Sequence, residues 1–460
     1  MAKNKKEKEE APQKGHKKNW REVYASVEDI QQFLSDHLML RYNVITRRVE
    51  CHLLNRSPWD SYDGSEESAM QLLMTIAEQQ MESGSEKETP MLWRPITDRI
   101  VNSLWKDLSK EKPVRIQDIY HVLDSDFVPE FHPFRYYLDH LPPWDGNSNH
   151  ILAMSTSVRV KGGVEEQIRF YEYLEKWLVA MVAGWVDDSV VNNVILVLIG
   201  EQGSYKTTWF NYLLPPELKS YFYTKTNANR MGRDDLLTLA QYGLVCCEEL
   251  DTMKPSELNQ LKAAVTMPSI DERAAYAHFH EHRPHIASFC GTGNTVQFLS
   301  DSTGNRRWLP FEIESIDSPR EHPFDYTAIY AQAYGLYRQG FRYWFSREEI
   351  NQLSLHNEAF MAPSQEIELV RIFFRKPNYQ GEGEFMPVAR AIQVISCSLA
   401  GSIVARLSNV QLGRAFTHLG FDSKIRHGLK GYIAVKRDDG EIKEFLSSLK
   451  DKDEMEDEPF

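Results

Sequence analysis

Residues 194–208 read VILVLIGEQGSYKTT, and this stretch decides the fold. Val194–Ile199 is an unbroken apolar run, which suits a central parallel strand buried on both faces. It runs directly into Gly200, Gly203, Lys206 and Thr207 in the register of a phosphate-binding loop. Such a loop needs a buried strand, a glycine-rich turn and a helix N-terminus. Turn amides and the helix dipole hold phosphates, the lysine neutralises β/γ charge, and the following hydroxyl holds magnesium. The nucleotide site is therefore expected at Gly200, Gln202, Gly203, Ser204, Tyr205, Lys206, Thr207 and Thr208, with ATP and Mg²⁺ as cofactors. One residue departs from the pattern: the usual glycine before the lysine is Tyr205. A bulky side chain there must point away from the phosphates, and its ring could stack on a base or a neighbouring subunit.

Downstream, Leu244–Cys247 is an apolar strand ending in Glu248-Glu249-Leu250-Asp251, about forty residues past the loop. That distance leaves room for one more strand and helix. Carboxylates at such a strand end can hold magnesium and polarise a water. Glu248 is assigned to magnesium together with Thr207, and Glu249 to the attacking water, although the two roles could be exchanged. A third strand, Ile286–Cys290, leads to Gly291-Thr292-Gly293-Asn294, where Asn294 can orient a water against the γ-phosphate. The turn 301–307 then presents Arg306 and Arg307. One of these can act as a transition-state arginine, often supplied by a neighbouring subunit.

Between these elements lie Lys262 and the segment 271–283, DERAAYAHFHEHR. Polar and aromatic residues alternate there at period two, the pattern of a hairpin. Lys262, Arg273, Tyr276 and His278 combine cationic and stacking groups that could grip a nucleic-acid backbone and its bases. His278, His280 and His282 raise a metal reading, but strand neighbours at that spacing rarely converge on one ion without further ligands.

The rest of the chain frames this centre. A length of 460 residues implies two or three domains. A charged fraction of 26% beside 42% hydrophobic residues is that of a globular protein. No apolar run is long enough to span a bilayer, and residues 1–20 lack the apolar core of a secretory leader. Five cysteines without a C-x-x-C pair fit a reducing, cytoplasmic setting. A net charge of −13 argues against a protein that coats DNA over its whole surface, yet leaves room for a local basic channel. The expected organisation is a disordered basic arm (1–22), a mixed, mainly helical N-terminal region (23–145), a P-loop ATPase core (146–345), a C-terminal accessory domain (346–445) and an acidic tail (446–460). In the N-terminal region the pattern reads as a helix and then a strand up to about Asn55, followed by an amphipathic stretch at 69–81. In the accessory domain Ser408–Leu419 reads as a helix and Ser423–Arg437 as a hairpin, a winged-helix-like order. The last twenty residues are expected to fray.

At GEQGSYKTTWF, CEELD, Lys262, the RAAY of residues 273–276, the GTGN of 291–294 and FLSDSTGNRRWLP (298–310), the chain resembles the virulence-associated protein E family. Tyr137-Leu138 and Trp144-Asp145-Gly146 add to the resemblance, which spans roughly residues 130–345. Members are P-loop ATPases of prophages and mobile elements, similar to superfamily 3 helicases. The resemblance implies an α/β fold: a P-loop NTPase core of the AAA+ and superfamily 3 type, with a central parallel sheet flanked by helices. It implies an ATP-dependent DNA helicase-like motor working as a ring oligomer, a hexamer, on single-stranded DNA during replication of a mobile element. It also implies that the element between the carboxylate strand and Asn294 faces DNA in the ring. An ATPase switch or loader that does not unwind DNA, and a non-catalytic DNA-binding or assembly module, remain as alternatives. No motif of a primase active site is present.

Overall fold

The computed structural model describes residues 24–54, 93–225, 233–272, 281–299, 305–362, 365–379, 381–398, 407–426 and 428–456. The basic arm, the amphipathic stretch at 69–81, and Arg273, Tyr276 and His278 lie outside these described residues.

The chain is a mixed α/β protein with several sheets and many helices. Helix α1 (Val27–His37) starts at a capping box in which the Ser26 hydroxyl and the Asp29 carboxylate each accept the other's backbone N–H. Where sequence periodicity reads one strand after this helix, two are present. β1 (Leu38–Asn43) pairs antiparallel with β2 (Arg48–Leu53), and the tight turn between them carries Arg47 at φ +55°. A run of mixed apolar and polar residues hides that reversal because no glycine marks it. β3 (Arg94–Pro95) and β4 (Glu130–Phe131) complete a four-stranded sheet. Helices α2 (Asp98–Glu111) and α3 (Ile116–Leu123) contribute Val101, Leu104, Leu108, Ile119 and Val122 to the same N-terminal core.

From α4 (Pro133–Asp139) onward the chain joins a different, larger core, to which Phe134 and Leu138 belong. Helix α5 (His150–Ser155) and strand β5 (Val158–Val160) lead to the long helix α6 (Val164–Val186). Its indole N–H groups tie it to the sheet: Trp177 donates to the Phe289 carbonyl and Trp185 to that of Gly243. The sheet contains β6 (Ile195–Ile199), β7 (Phe222–Lys225), β8 (Leu244–Cys247), β11 (Ser288–Gly293) and β12 (Trp308–Ile316). Their order is β5-β12-β6-β11-β8-β7, with every neighbouring pair parallel except β5 with β12. All five residues of β6 are buried. Leu196 and Leu198 enter the core on one face, and Ile195, Val197 and Ile199 enter a second core on the other. This two-sided burial is what an uninterrupted aliphatic run provides.

Helices α7 (Lys206–Asn211), α8 (Arg233–Gln241) and α9 (Pro255–Val265) connect the parallel strands. β9 (Ser269–Glu272) and β10 (Glu281–Pro284) pair antiparallel as the stem of the expected hairpin. The stem is anchored at its base, where buried Arg283 donates to the Ile45 carbonyl of the N-terminal region. α10 (Tyr326–Arg338) and α11 (Arg347–His356) follow β12. Leu353 and Phe360 pack into the two central cores, so residues up to about 362 belong structurally to the centre and not to the C-terminal module.

That module has its own core. It runs α12 (Gln365–Phe373), β13 (Phe374–Arg375), β14 (Glu384–Pro387), α13 (Val388–Ser398), α14 (Asn409–His418), β15 (Ser423–Arg426) and β16 (Leu429–Lys436). The acidic end does not fray at once: Asp439–Glu456 forms a final helix, α15. Among the described residues no helix is long and apolar enough to cross a membrane.

Candidate functional site

The site forms where β6 ends. Gly200 follows its last residue, and only a glycine fits. A Cβ built there would lie 2.5 Å from Cγ1 of Ile313 on β12. The Gly200 N–H donates to the Gly293 carbonyl at 3.1 Å, which ties the loop to the tip of β11. Gly203 takes φ +84° and Tyr205 φ +63°. The left-handed region costs an L-residue about 1–2 kcal/mol, so a non-glycine is retained there only under constraint. Tyr205 thus adopts a backbone that glycine takes freely, and the residue is 46% exposed.

Lys206 opens α7 and is only 7% exposed. Its ammonium donates to the carbonyls of Gly200 (2.7 Å) and Glu201 (2.6 Å) and to the Ser204 hydroxyl (3.2 Å). Asn294 Oδ1, just past β11, lies 3.5 Å away, at the edge of hydrogen-bonding range. Burial lowers the lysine's pKa, and the Asp251 and Glu201 carboxylates oppose that shift. The cation is therefore held at the mouth of the loop by neutral oxygens that an anion could replace. Ser204, Thr207 and Thr208 are partly buried, and Gln202 is exposed.

The carboxylates at the tip of β8 are arranged less evenly than their sequence shows. The Glu248 N–H continues the sheet by donating to the Lys225 carbonyl. Glu249 is exposed and left-handed at φ +53°, and the chain turns through a short 3-10 helix, Leu250–Thr252. Leu250 is buried, and a Cβ on Gly291 would lie 2.3 Å from its Cδ1. The turn is thereby pressed onto β11. It delivers Asp251 to the site. Oδ2 accepts from the Thr295 N–H at 3.1 Å, and Oδ1 is buried with no hydrogen-bond partner among the described residues. A Cβ on Gly293 would lie 3.3 Å from Oδ1, so the glycine leaves room for that oxygen. Sequence reasoning missed Asp251 because the first two carboxylates of the strand end claimed the roles. Its signal was present in the apolar residue, Leu250, that separates it from them.

Arg306 and Arg307 are not brought to Lys206. They sit in a 3-10 turn, Asn305–Arg307, that precedes β12. Since β12 runs parallel to β6 with Trp308 opposite Ile195 and Glu312 opposite Ile199, the pair lies at the opposite edge of the sheet. Four residues of strand put about 13 Å between the two edges. There the arginines line a cavity of about 590 Å³ together with Asn192, Thr266, Tyr343 and Trp344. Lys262 is not on the hairpin. It occupies the last turn of α9 and is 7% exposed, so its ammonium is not presented to a polymer in solvent.

Fold and site together define an α/β domain that gathers a glycine-rich loop, a buried lysine and a carboxylate at the carboxyl edge of a mainly parallel sheet. Residues 138–362 match the Virulence-associated protein E-like domain, and this stretch of the chain belongs to that family. No curated protein matches the chain significantly. Solved structures similar to it include an apo structure of the NrS-1 C terminal region, at 10% identity and a TM-score of 0.42, covering 88% of this chain and 98% of that one. An A form apo structure of the same region has 11% identity and a TM-score of 0.43 over the same shares of the two chains.

Proposed function

We propose that the chain is an ATP-hydrolysing motor acting on DNA, of the superfamily 3 helicase type, that serves replication of a mobile element as a ring oligomer. The observation that carries this reading is the pairing of Lys206, buried among loop carbonyls, with the partnerless Asp251 oxygen across the carboxyl ends of β6, β8 and β11. Open α/β sheets bind ligands at that edge. The loop and Lys206 take the β- and γ-phosphates. Magnesium, a hard cation, suits the oxygen donors of Thr207, Glu248 and Asp251, and Asp251 Oδ1 in particular is a buried acceptor awaiting a partner. No three His, Cys, Asp or Glu side chains among the described residues cluster as a metal cage, so the ion would draw its other ligands from phosphate and water. When bound, it neutralises phosphate charge. Glu249 holds the attacking water, and Asn294 orients it against the γ-phosphate.

The position of Arg306 and Arg307 at the far edge supports a site completed between subunits, because neither can serve the nucleotide of its own chain. Single-stranded DNA is assigned to the hairpin carried by β9 and β10, through Arg273, Tyr276 and His278. The non-catalytic alternative draws its support from Tyr205. The left-handed backbone and the exposure of that residue argue that the loop is not spoiled. Steady-state ATP hydrolysis with and without single-stranded DNA tests the reading, with Lys206→Ala as the inactive control, and strand displacement then separates motor from switch. Wild-type protein that hydrolyses no more ATP than Lys206→Ala would end it.

A further inference from the structure

The C-terminal module carries a second, independent surface. Its elements run helix, two strands, two helices, two strands and a last helix: α12, β13, β14, α13, α14, β15, β16 and α15. Gly431 and Tyr432 of β16 pair with both β14 and β15, so these two strands flank it on opposite sides. Helix α14 buries Leu412, Ala415 and Phe416 against the module's core. Its opposite face presents Gln411, Arg414 and His418, which recur at helical spacing and are exposed. The hairpin is locked to this helix by the Tyr432 hydroxyl, which donates to the Gly413 carbonyl at 2.7 Å and meets the Thr417 hydroxyl at 2.8 Å. On the turn side of Tyr432, Leu429 and Lys430 are exposed. All four residues of β15 are exposed, Ile425 to 75%.

Charge sets this surface apart. Residues 407–436 hold five lysines and arginines against one carboxylate, in a chain whose net charge is −13. The module neutralises other arginines: Arg375 pairs with Glu382 and Glu441, and Arg390 with Glu384. Among the described residues Arg414, Lys424, Arg426 and Lys430 enter no such ion pair; Arg426 and Lys430 lie over the rings of Phe385 and Tyr432. Four cations on one helix face and the adjoining hairpin are the electrostatic footprint of a polyanion site. A helix about 10–12 Å across with its side chains fits the major groove of B-form DNA, which is about 12 Å wide.

We propose that this module is a duplex-DNA-binding unit, with α14 in the major groove and the β15–β16 hairpin along the adjacent backbone. Gln411 and Arg414 reach base edges, and Lys424, Arg426 and Lys430 neutralise phosphates. This site is separate from the single-strand contact assigned to the ATPase core, and it needs no nucleotide. It gives the protein a hold on double-stranded DNA next to the strand it acts on.

The test is fluorescence anisotropy of the full chain with a labelled duplex of about 20 base pairs, the matching single strand and the matching RNA duplex, at several salt concentrations. Lys424→Glu/Lys430→Glu is expected to weaken DNA-duplex binding more than tenfold and to flatten the slope of log K against log salt by about two. Arg414→Ala weakens duplex binding and leaves single-strand binding unchanged. Each substitution is at an exposed side chain, and an unchanged melting curve checks the fold. DNA-duplex affinity and slope equal to wild type in both variants would overturn the proposal. So would equal affinity for the RNA duplex, whose deep, narrow major groove excludes a helix. Loss of duplex binding in Lys206→Ala but not in these variants would place the duplex at the ATPase core and also overturn it. If the protein hydrolyses no ATP yet the C-terminal variants lose duplex binding, the motor reading fails and this one stands.

Discussion

Gly200→Ala is the substitution whose effect the structure determines most closely. The added Cβ would sit 2.5 Å from Ile313 Cγ1 and 3.2 Å from Cδ1, roughly 0.9 Å short of ordinary contact for the nearer atom. Ile313 is 4% exposed on β12, hydrogen-bonded between β5 and β6, and cannot rotate away into solvent. Overpacking of this kind costs about 1–3 kcal/mol. The loop can relieve it only by rising from the sheet. That movement strains the Gly200 N–H bond to Gly293 and carries off the carbonyl that holds Lys206 at 2.7 Å. The variant should therefore lose both stability and ATP affinity. Urea denaturation and titration with a fluorescent ATP analogue measure the two. Ile313→Ala alone removes both clashing atoms from a full core and should cost about 2–5 kcal/mol. In the double variant the new methyl enters the space that Ile313 leaves, so the two costs should fall short of their sum by about 1 kcal/mol or more. Additivity within about 0.5 kcal/mol, or a Gly200→Ala protein with wild-type stability, would refute the placement of the loop against β12.

Three further outcomes follow from the same geometry. Glu249→Gln should keep ATP binding and lose turnover by about two to four orders of magnitude, whereas Asp251→Asn should weaken magnesium-dependent ATP binding itself; single-turnover assays and binding titrations at varied Mg²⁺ separate them. Mixing Arg306→Ala/Arg307→Ala protein with Lys206→Ala protein should restore part of the hydrolysis each lacks alone, and full activity from a monomer would exclude an arginine acting between subunits. His132 caps α4 by accepting the Arg135 N–H at 3.2 Å, and burial followed by the nearby Arg135 charge lowers its pKa from 6.5 to about 4. As pH falls from about 6.5 through about 4 the unfolded chain takes up a proton that the folded one refuses, so stability should drop across that window and stay level above it. His132→Asn, a cap that does not titrate, should flatten the drop in denaturation measured at several pH values.

Sequence alone pointed to the elements around the glycine-rich loop and to the chemistry proposed for it. A run such as Val194–Ile199 suits a strand buried on both faces, the place a central strand of a parallel sheet provides. Gly200, Gly203, Lys206 and Thr207 carry their meaning at fixed short spacing, and Ser408 and Ser26 announce helix starts by local hydrogen bonds. Short-range signals of this kind survive in one dimension. What the tertiary structure decided depends on strand direction and on packing between distant segments. Because β12 runs parallel to β6, Arg306 and Arg307 lie at the opposite edge of the sheet from the loop, a placement that sequence order does not reveal. Because Leu250 packs against Gly291, the chain turns at Glu249 and brings Asp251, a residue with no distinguishing motif, beside Lys206. Lys262 faces inward because α9 buries that side of its last turn, a choice that charge and position in the sequence do not reveal.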